Sequence, residues 1–251
     1  MMTRTQNSGA GTARGHRVLP RRWWLLPFVF IVCDLGLVLA RAASYPAFFS
    51  MPGAAGYLVE PVAALAVYAA GLAALPFLVA RAPSAAIAVR VGTVVGVVGG
   101  AIEIASTALE SLWALPQQIV SIATGSAMLA LFLSFGIAGF LGGRRGGTFW
   151  HGLGAAVCSA AVAITLVVTF GFFLTIAALP QLAHDEIGDP DYVRSGWTDV
   201  RAFAIANTFD AGITHLVEAP VIAAVLGAAG SAAGQMAQGR ARRRSSQPVV
   251  E

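Results

Sequence analysis

Six runs of apolar residues, each long enough to cross a bilayer, constrain this chain more than any other feature of its sequence. A helix needs about 20 such residues to span a hydrocarbon core of about 30 Å. The runs cover Trp23–Ala40, Tyr57–Ala80, Ala88–Leu109, Val120–Leu141, Leu153–Leu179 and Ala204–Ala229. In lipid every backbone polar group must be satisfied within the protein. The expected fold is therefore all-α, a polytopic membrane helix bundle with six transmembrane helices. Turn and stop signals separate the runs: Pro52-Gly53, Pro83, Pro116, Gly142-Gly143 with Gly146-Gly147, and Pro180.

Arginine placement sets the expected orientation. All 16 basic residues are arginine, and most flank the spans. Arg14, Arg17, Arg21 and Arg22 precede the first run, and Arg240, Arg242, Arg243 and Arg244 follow the last. Arg81 and Arg90 bracket the second connection, and Arg144-Arg145 occupies the fourth. The third connection has no basic residue, and the fifth is rich in acid: Asp185, Glu186, Asp189, Asp191 and Asp199. By the positive-inside rule both termini are cytoplasmic. A cleaved signal peptide ending near Ala40-Arg41-Ala42 is the alternative for the start. The first run is long for that and contains Asp34, so six spans remain the reading.

Residues 1–22 and 235–251 are polar and arginine-rich, and they read as disordered tails around a single six-helix domain at 23–234. Basic tails beside apolar spans point to anionic lipid rather than nucleic acid. Abundant Ala, Gly and Val with no lysine suggests a GC-rich bacterial genome, and hence a bacterial cytoplasmic membrane. The connections leave no room for a nucleotide-binding domain, and no P-loop, dinucleotide-binding glycine pattern or zinc-protease HExxH occurs. No cofactor is expected. Cys33 and Cys158 sit in apolar runs without a CxxC and read as small core residues.

Function is written in the acids. Asp34, Glu60, Glu103, Asp210 and Glu218 fall inside the spans with no arginine at matching depth, and Glu110 ends the third span. A charge near the bilayer centre costs about 2.5–3.5 kcal/mol on insertion scales, so such residues face a cavity or a partner. In the third span Gly92, Gly96 and Gly100 stack on one face, and Glu103, Thr107 and Glu110 continue the stripe. In the sixth, Asn207, Asp210, Thr214 and Glu218 share an arc with His215 beside it, close enough to Glu218 to share a proton. Glu60-Pro61 and Glu218-Ala219-Pro220 each place a Glu near a proline. A proline frees a backbone carbonyl that could help hold a cation.

Unpaired carboxyls in low dielectric spend much of their time protonated. Three uses follow: proton- or cation-coupled transport of a small solute, intramembrane acid–base catalysis on a lipid or isoprenoid, or no chemistry at all in an accessory or scaffold protein. Transport is the expected function, with Glu103, Asp210 and Glu218 carrying the coupling and Glu60, His215 and Asp34 contributing. Catalysis through zinc is disfavoured because His215 is the only histidine within a span. The acidic run His184-Asp185-Glu186 with Asp189 and Asp191 reads as a solvated loop, with Tyr192 and Trp197 resting it on the membrane surface. The expected partners are the bilayer, a small solute or cation and, through the glycine seam, a second copy of the chain.

Overall fold

A computed structural model describes residues 25–81, 85–113 and 115–245. The expected basic N-terminal tail and Trp23-Trp24 lie outside these residues. The described chain is all-α, and no strand occurs among the described residues. Six long helices cross the bundle: α1 (Leu25–Ser44), α2 (Ala54–Arg81), α3 (Ala85–Leu112), α4 (Gln117–Gly146), α5 (Phe149–Ala177) and α8 (Val200–Ser245). All six are long and apolar enough to span a membrane. A short 3₁₀ helix (Pro46–Ser50) and two short helices, α6 (Leu179–Asp185) and α7 (Pro190–Ser195), cap one end, called here the loop end. Residues 25 and 245 lie at the opposite, terminal end.

Helix α5 is the hub, since α1, α3, α4 and α8 all pack on it. Its sequence explains this role: Ala155, Ala156, Ser159, Ala160 and Ala163 are small and fully or nearly buried, and they admit other backbones closely. Gly92, Gly96 and Gly100 of α3 are the matching face. A Cβ on Gly96 would sit 2.5 Å from the Ser159 carbonyl oxygen. The glycine seam expected to receive a second copy is thus used inside the chain.

Helices α4 and α8 cross through Gly139 and Gly227, and again through Gly136 with Gly230 and Gly143 with Ser231. The Ser231 hydroxyl donates to the Phe149 carbonyl at 2.8 Å, tying α8 to the start of α5. Gly147, at φ 74°, ends α4 in the left-handed region that only glycine enters cheaply, and Thr148 then caps α5.

Proline 220 interrupts α8. Lacking an N–H, it leaves the Leu216 carbonyl without its helical donor. The Tyr68 hydroxyl of α2 supplies one. The freed carbonyl proposed as half of a cation site is therefore a helix–helix tie. Pro61 lies about two turns into α2, since that helix begins at Ala54.

Two further expectations are corrected at the ends. Residues 235–245, expected in the C-terminal tail, continue α8 as helix. Low hydrophobicity there predicts a lack of burial, but Ala, Gln, Met and Arg are good helix formers and a preformed helix extends easily. Trp197 does not lie on a membrane surface. It is buried between Phe48, Tyr57 and Phe203, and Tyr192 packs against Phe203. An aromatic cluster gains more by joining the loop end's own core than by reaching outward.

That core is fastened by Asp199. Its carboxylate caps α8, accepting from the backbone N–H of Arg201 and Ala202, and accepts the Tyr45 hydroxyl at 2.7 Å. Burial works to raise the Asp199 carboxyl, but these donors outweigh it and hold it below its ordinary value near 3.8. A carboxyl lowered on folding adds stability above that value and loses it as pH falls through the lower, folded one. Acidification from pH 6 to pH 3 should therefore lower the melting temperature in detergent less in Asp199→Asn than in the parent. Glu186, raised by burial and by Asp189, Asp185 and Asp191 against the bond from Asn207, acts in the opposite sense. The comparison with Asp199→Asn separates the two. Tyr45→Phe should cost about 1 kcal/mol at neutral pH, less than the roughly 1.5–3 kcal/mol of a buried bond to a charged group because this one is partly exposed.

Candidate functional site

Helix α5 gives a depth scale for the acids. Gly92, Gly96 and Gly100 of α3 meet α5 near Ala155, Ser159 and Ala163, so the two helices run in parallel and Glu103 falls beside about residue 167. Helix α8 runs the other way, with Gly227 at Ala156 and Gly212 at Val168 and Phe172, which brings His215 to the same level. Thr169 adjoins Asp34. Asp34, Glu103 and His215 thus lie within about one helical turn, ~5 Å, of one depth.

They lie on different sides of α5, and their surroundings differ. Asp34 is fully buried on the inner face of α1 with Ile31 and Val38. Neither of its carboxyl oxygens has a hydrogen-bond partner among the described residues. The neighbouring Thr169 hydroxyl donates instead to the Thr165 carbonyl at 2.7 Å. Arg41, two turns along the same face, is also buried, at 8% exposure. It reaches the Ser44 hydroxyl at 3.5 Å and the Tyr45 ring at 5.2 Å, while its Nε has no partner. It lies about 10 Å toward the loop end from Asp34, and so not at matching depth. The i, i+3, i+7, i+10 spacing of Ile31, Asp34, Val38 and Arg41 marks the face they share.

Glu103 is half-buried. On α3 it lies angularly between Gly99, which meets Leu131 and Ser134 of α4, and Gly96 and Gly100, which meet α5. By helix angle it therefore faces the crevice between α4 and α5. Its Oε2 is shut off from solvent without a hydrogen-bond partner, and so is the hydroxyl of Ser106 one turn on. Two orphaned polar atoms on one face of one helix are unusual, because buried polar groups are nearly always satisfied. Ser106 was missed as a site residue in the sequence, where it sits at the edge of the stripe.

The remaining candidates are not brought into this crevice. Asp210, Thr214, His215 and Glu218 are exposed, and so is Glu60 on α2. The arc on α8 is real, but it points away from the bundle. The opposite face, with Gly212, Leu216, Ala219, Ala223 and Gly227, takes the packing against α5, α4 and α2. The acids therefore do not converge on one enclosed cavity. Asp210 lies near the loop end, about one turn below Asn207, which donates to Glu186 at 2.7 Å. Glu218 is about 16 Å below Asn207 and about 20 Å above Ser231, and so near the middle of the span. Glu110 is exposed and accepts from Thr124 of α4 at 3.3 Å.

Two open grooves flank these groups. One, of about 530 Å³, is almost wholly apolar and runs between α1 and α3 over α5, with Cys33, Ile104, Thr169 and Phe173 in its walls. The other, of similar volume, opens at the loop end between the end of α3 and α6, lined by Glu110, Trp113, Gln181 and His184 among others. The acidic loop does not assemble a metal centre. Asp189 caps α7 through the Asp191 N–H, Asp191 pairs with Arg194, and among the described residues no three His, Cys, Asp or Glu side chains converge.

Six apolar helices with their backbones satisfied internally define a multi-pass membrane protein. Compared with known families, curated proteins and solved structures, the chain has no significant match in sequence or fold.

Proposed function

We propose that this protein is a proton- or cation-coupled transporter of a small solute, set in a bacterial cytoplasmic membrane with both termini in the cytoplasm. The observation that carries this reading is the orphaned pair on α3, the Glu103 carboxyl oxygen and the Ser106 hydroxyl one turn on, both buried without a partner inside a span. A buried polar atom without a partner costs about 1–3 kcal/mol and adds nothing to the fold. A proton, water or small cation would satisfy it, and its exchange is the elementary step of coupling. Asp34, equally unpartnered at the same depth, supports the same reading from the other side of α5. Asp210, His215, Glu218 and Glu60, exposed on the outward faces of α8 and α2, do not join this pair. The arginines at the chain ends and the α4–α5 turn support the orientation.

In proteoliposomes loaded at one pH and diluted into another, Glu103→Gln should lower pH-driven flux at least tenfold, and Ser106→Ala should lower it severalfold. Flux unchanged in Glu103→Gln removes that residue from the mechanism. The apolar groove beside Thr169 favours a second reading, an intramembrane acid–base enzyme that holds a lipid or isoprenoid chain there with Asp34 behind it. That reading requires turnover of such a substrate in detergent without any gradient. An accessory role would be indicated by full complementation after all the intramembrane acids are neutralised together.

A further inference from the structure

We propose that a second copy of this chain covers the outward face of α8, so that His215 of each copy meets Glu218 of the other. The face consists of Ala211, His215 and Glu218, continued toward the terminal end by Val225 and Ala229 and flanked by Asp210, Thr214 and Val221, all exposed. Ionisable groups at the depth of Glu218 do not rest against hydrocarbon; they pair or line water. The helix cannot turn to bury them. Its opposite face is committed through Gly212 on Phe172, Gly227 on Ala156 and the tie from Tyr68 to Leu216.

The occupant follows from the face's own charge pattern. A two-fold axis along the membrane normal sets two α8 helices side by side at one depth, and a contact line midway between His215 and Glu218, about 60° apart on the helix, brings each to the other in the second copy. A face carrying a base three residues before an acid is then complementary to itself, and two His–Glu contacts form at once. Ala211, a small exposed residue one turn above, lies on the line between them and lets the helices approach. Val225 and Ala229 close the contact below. Other outward positions, such as Val67 on α2 and Leu129 on α4, present apolar side chains suited to lipid.

The test is cysteine cross-linking in native membranes, in the full chain with Cys33→Ser and Cys158→Ala. Under mild oxidation Ala211→Cys and Ala229→Cys should give covalent dimers, while Val67→Cys and Leu129→Cys should not. Adding His215→Glu to Ala211→Cys should reduce the dimer at least fivefold, and adding Glu218→His as well should restore it. Two results would overturn the proposal. In one, the α8 cysteines do not cross-link but are labelled by a water-soluble maleimide, which makes the face a wet groove within one copy. In the other, they are neither cross-linked nor labelled, which gives the face to lipid or to a different protein. Cross-linking needs no solute flux, so it stands or falls separately from the transport reading.

Discussion

Gly139→Leu should leave the chain unable to hold α4 against α8, with a loss of about 3 kcal/mol or more in denaturant titrations in mixed micelles. A Cβ at this position would lie 2.5 Å from the Gly227 carbonyl oxygen and 2.8 Å from the Gly227 Cα. Both are backbone atoms, so no side chain can swing aside. The helices would have to separate, and with them would go the contacts of Gly136 with Gly230 and Gly143 with Ser231. Overpacking by a few carbons in a yielding core costs about 1–3 kcal/mol, and a backbone-to-backbone crossing should lie at or beyond the top of that range. Gly125→Ala on the same helix is the control. Nothing lies within 4 Å of its Cβ, and the higher helix propensity of alanine should stabilise it by up to about 1 kcal/mol. Equal stability of Gly139→Leu and the parent would show that α4 and α8 do not cross where the structure places them.

How much of this could be read beforehand follows from what each signal measures. Hydropathy measures the length that must be hidden from water, and it found all six spans. It ended them too early, at Ala229 in α8, for example, because a helix does not stop where the hydrocarbon does. Helices α6 and α7 went unforeseen, although Asp189-Pro190 is an N-cap followed by a first-turn proline. Periodicity tells which residues share a face of one helix, but it does not tell which face packs. On α3 the glycines decided it, because Glu103 continues their stripe into the crevice. On α8 the same reasoning, applied to the opposite face, would have weighed Gly212, Ala219, Ala223 and Gly227 against Asp210, Thr214 and Glu218. Small residues in register are the stronger packing signal in a membrane. Ties between helices, such as Tyr68 on the carbonyl freed by Pro220, join distant parts of the chain and have no local signature.

Replacing Asp34 should separate its cost to the fold from its use. The side chain is enclosed by α1 and its neighbours, and neither oxygen finds a donor. A carboxyl in that position subtracts from stability whether it is charged, through lost hydration, or neutral, through unmade hydrogen bonds. If it served structure alone, removing it should harm the fold. The arrangement predicts the reverse. Asp34→Val, which fills the same space with methyl groups, should be at least as stable as the parent and by as much as about 2 kcal/mol more so, since apolar replacement of unsatisfied buried groups is neutral or stabilising. In the same preparation, pH-driven flux should be abolished. Asp34→Asn, nearly identical in shape but unable to take up or release a proton at working pH, should also carry no flux while gaining little stability. Stability and flux are read on one sample, by denaturant titration and by solute uptake into proteoliposomes. A stable Asp34→Asn protein with normal flux would exclude Asp34 from coupling. An Asp34→Val protein destabilised by several kcal/mol would instead show that the carboxylate holds a contact within the bundle, with Arg41 on the same helix face the first group to test as its partner.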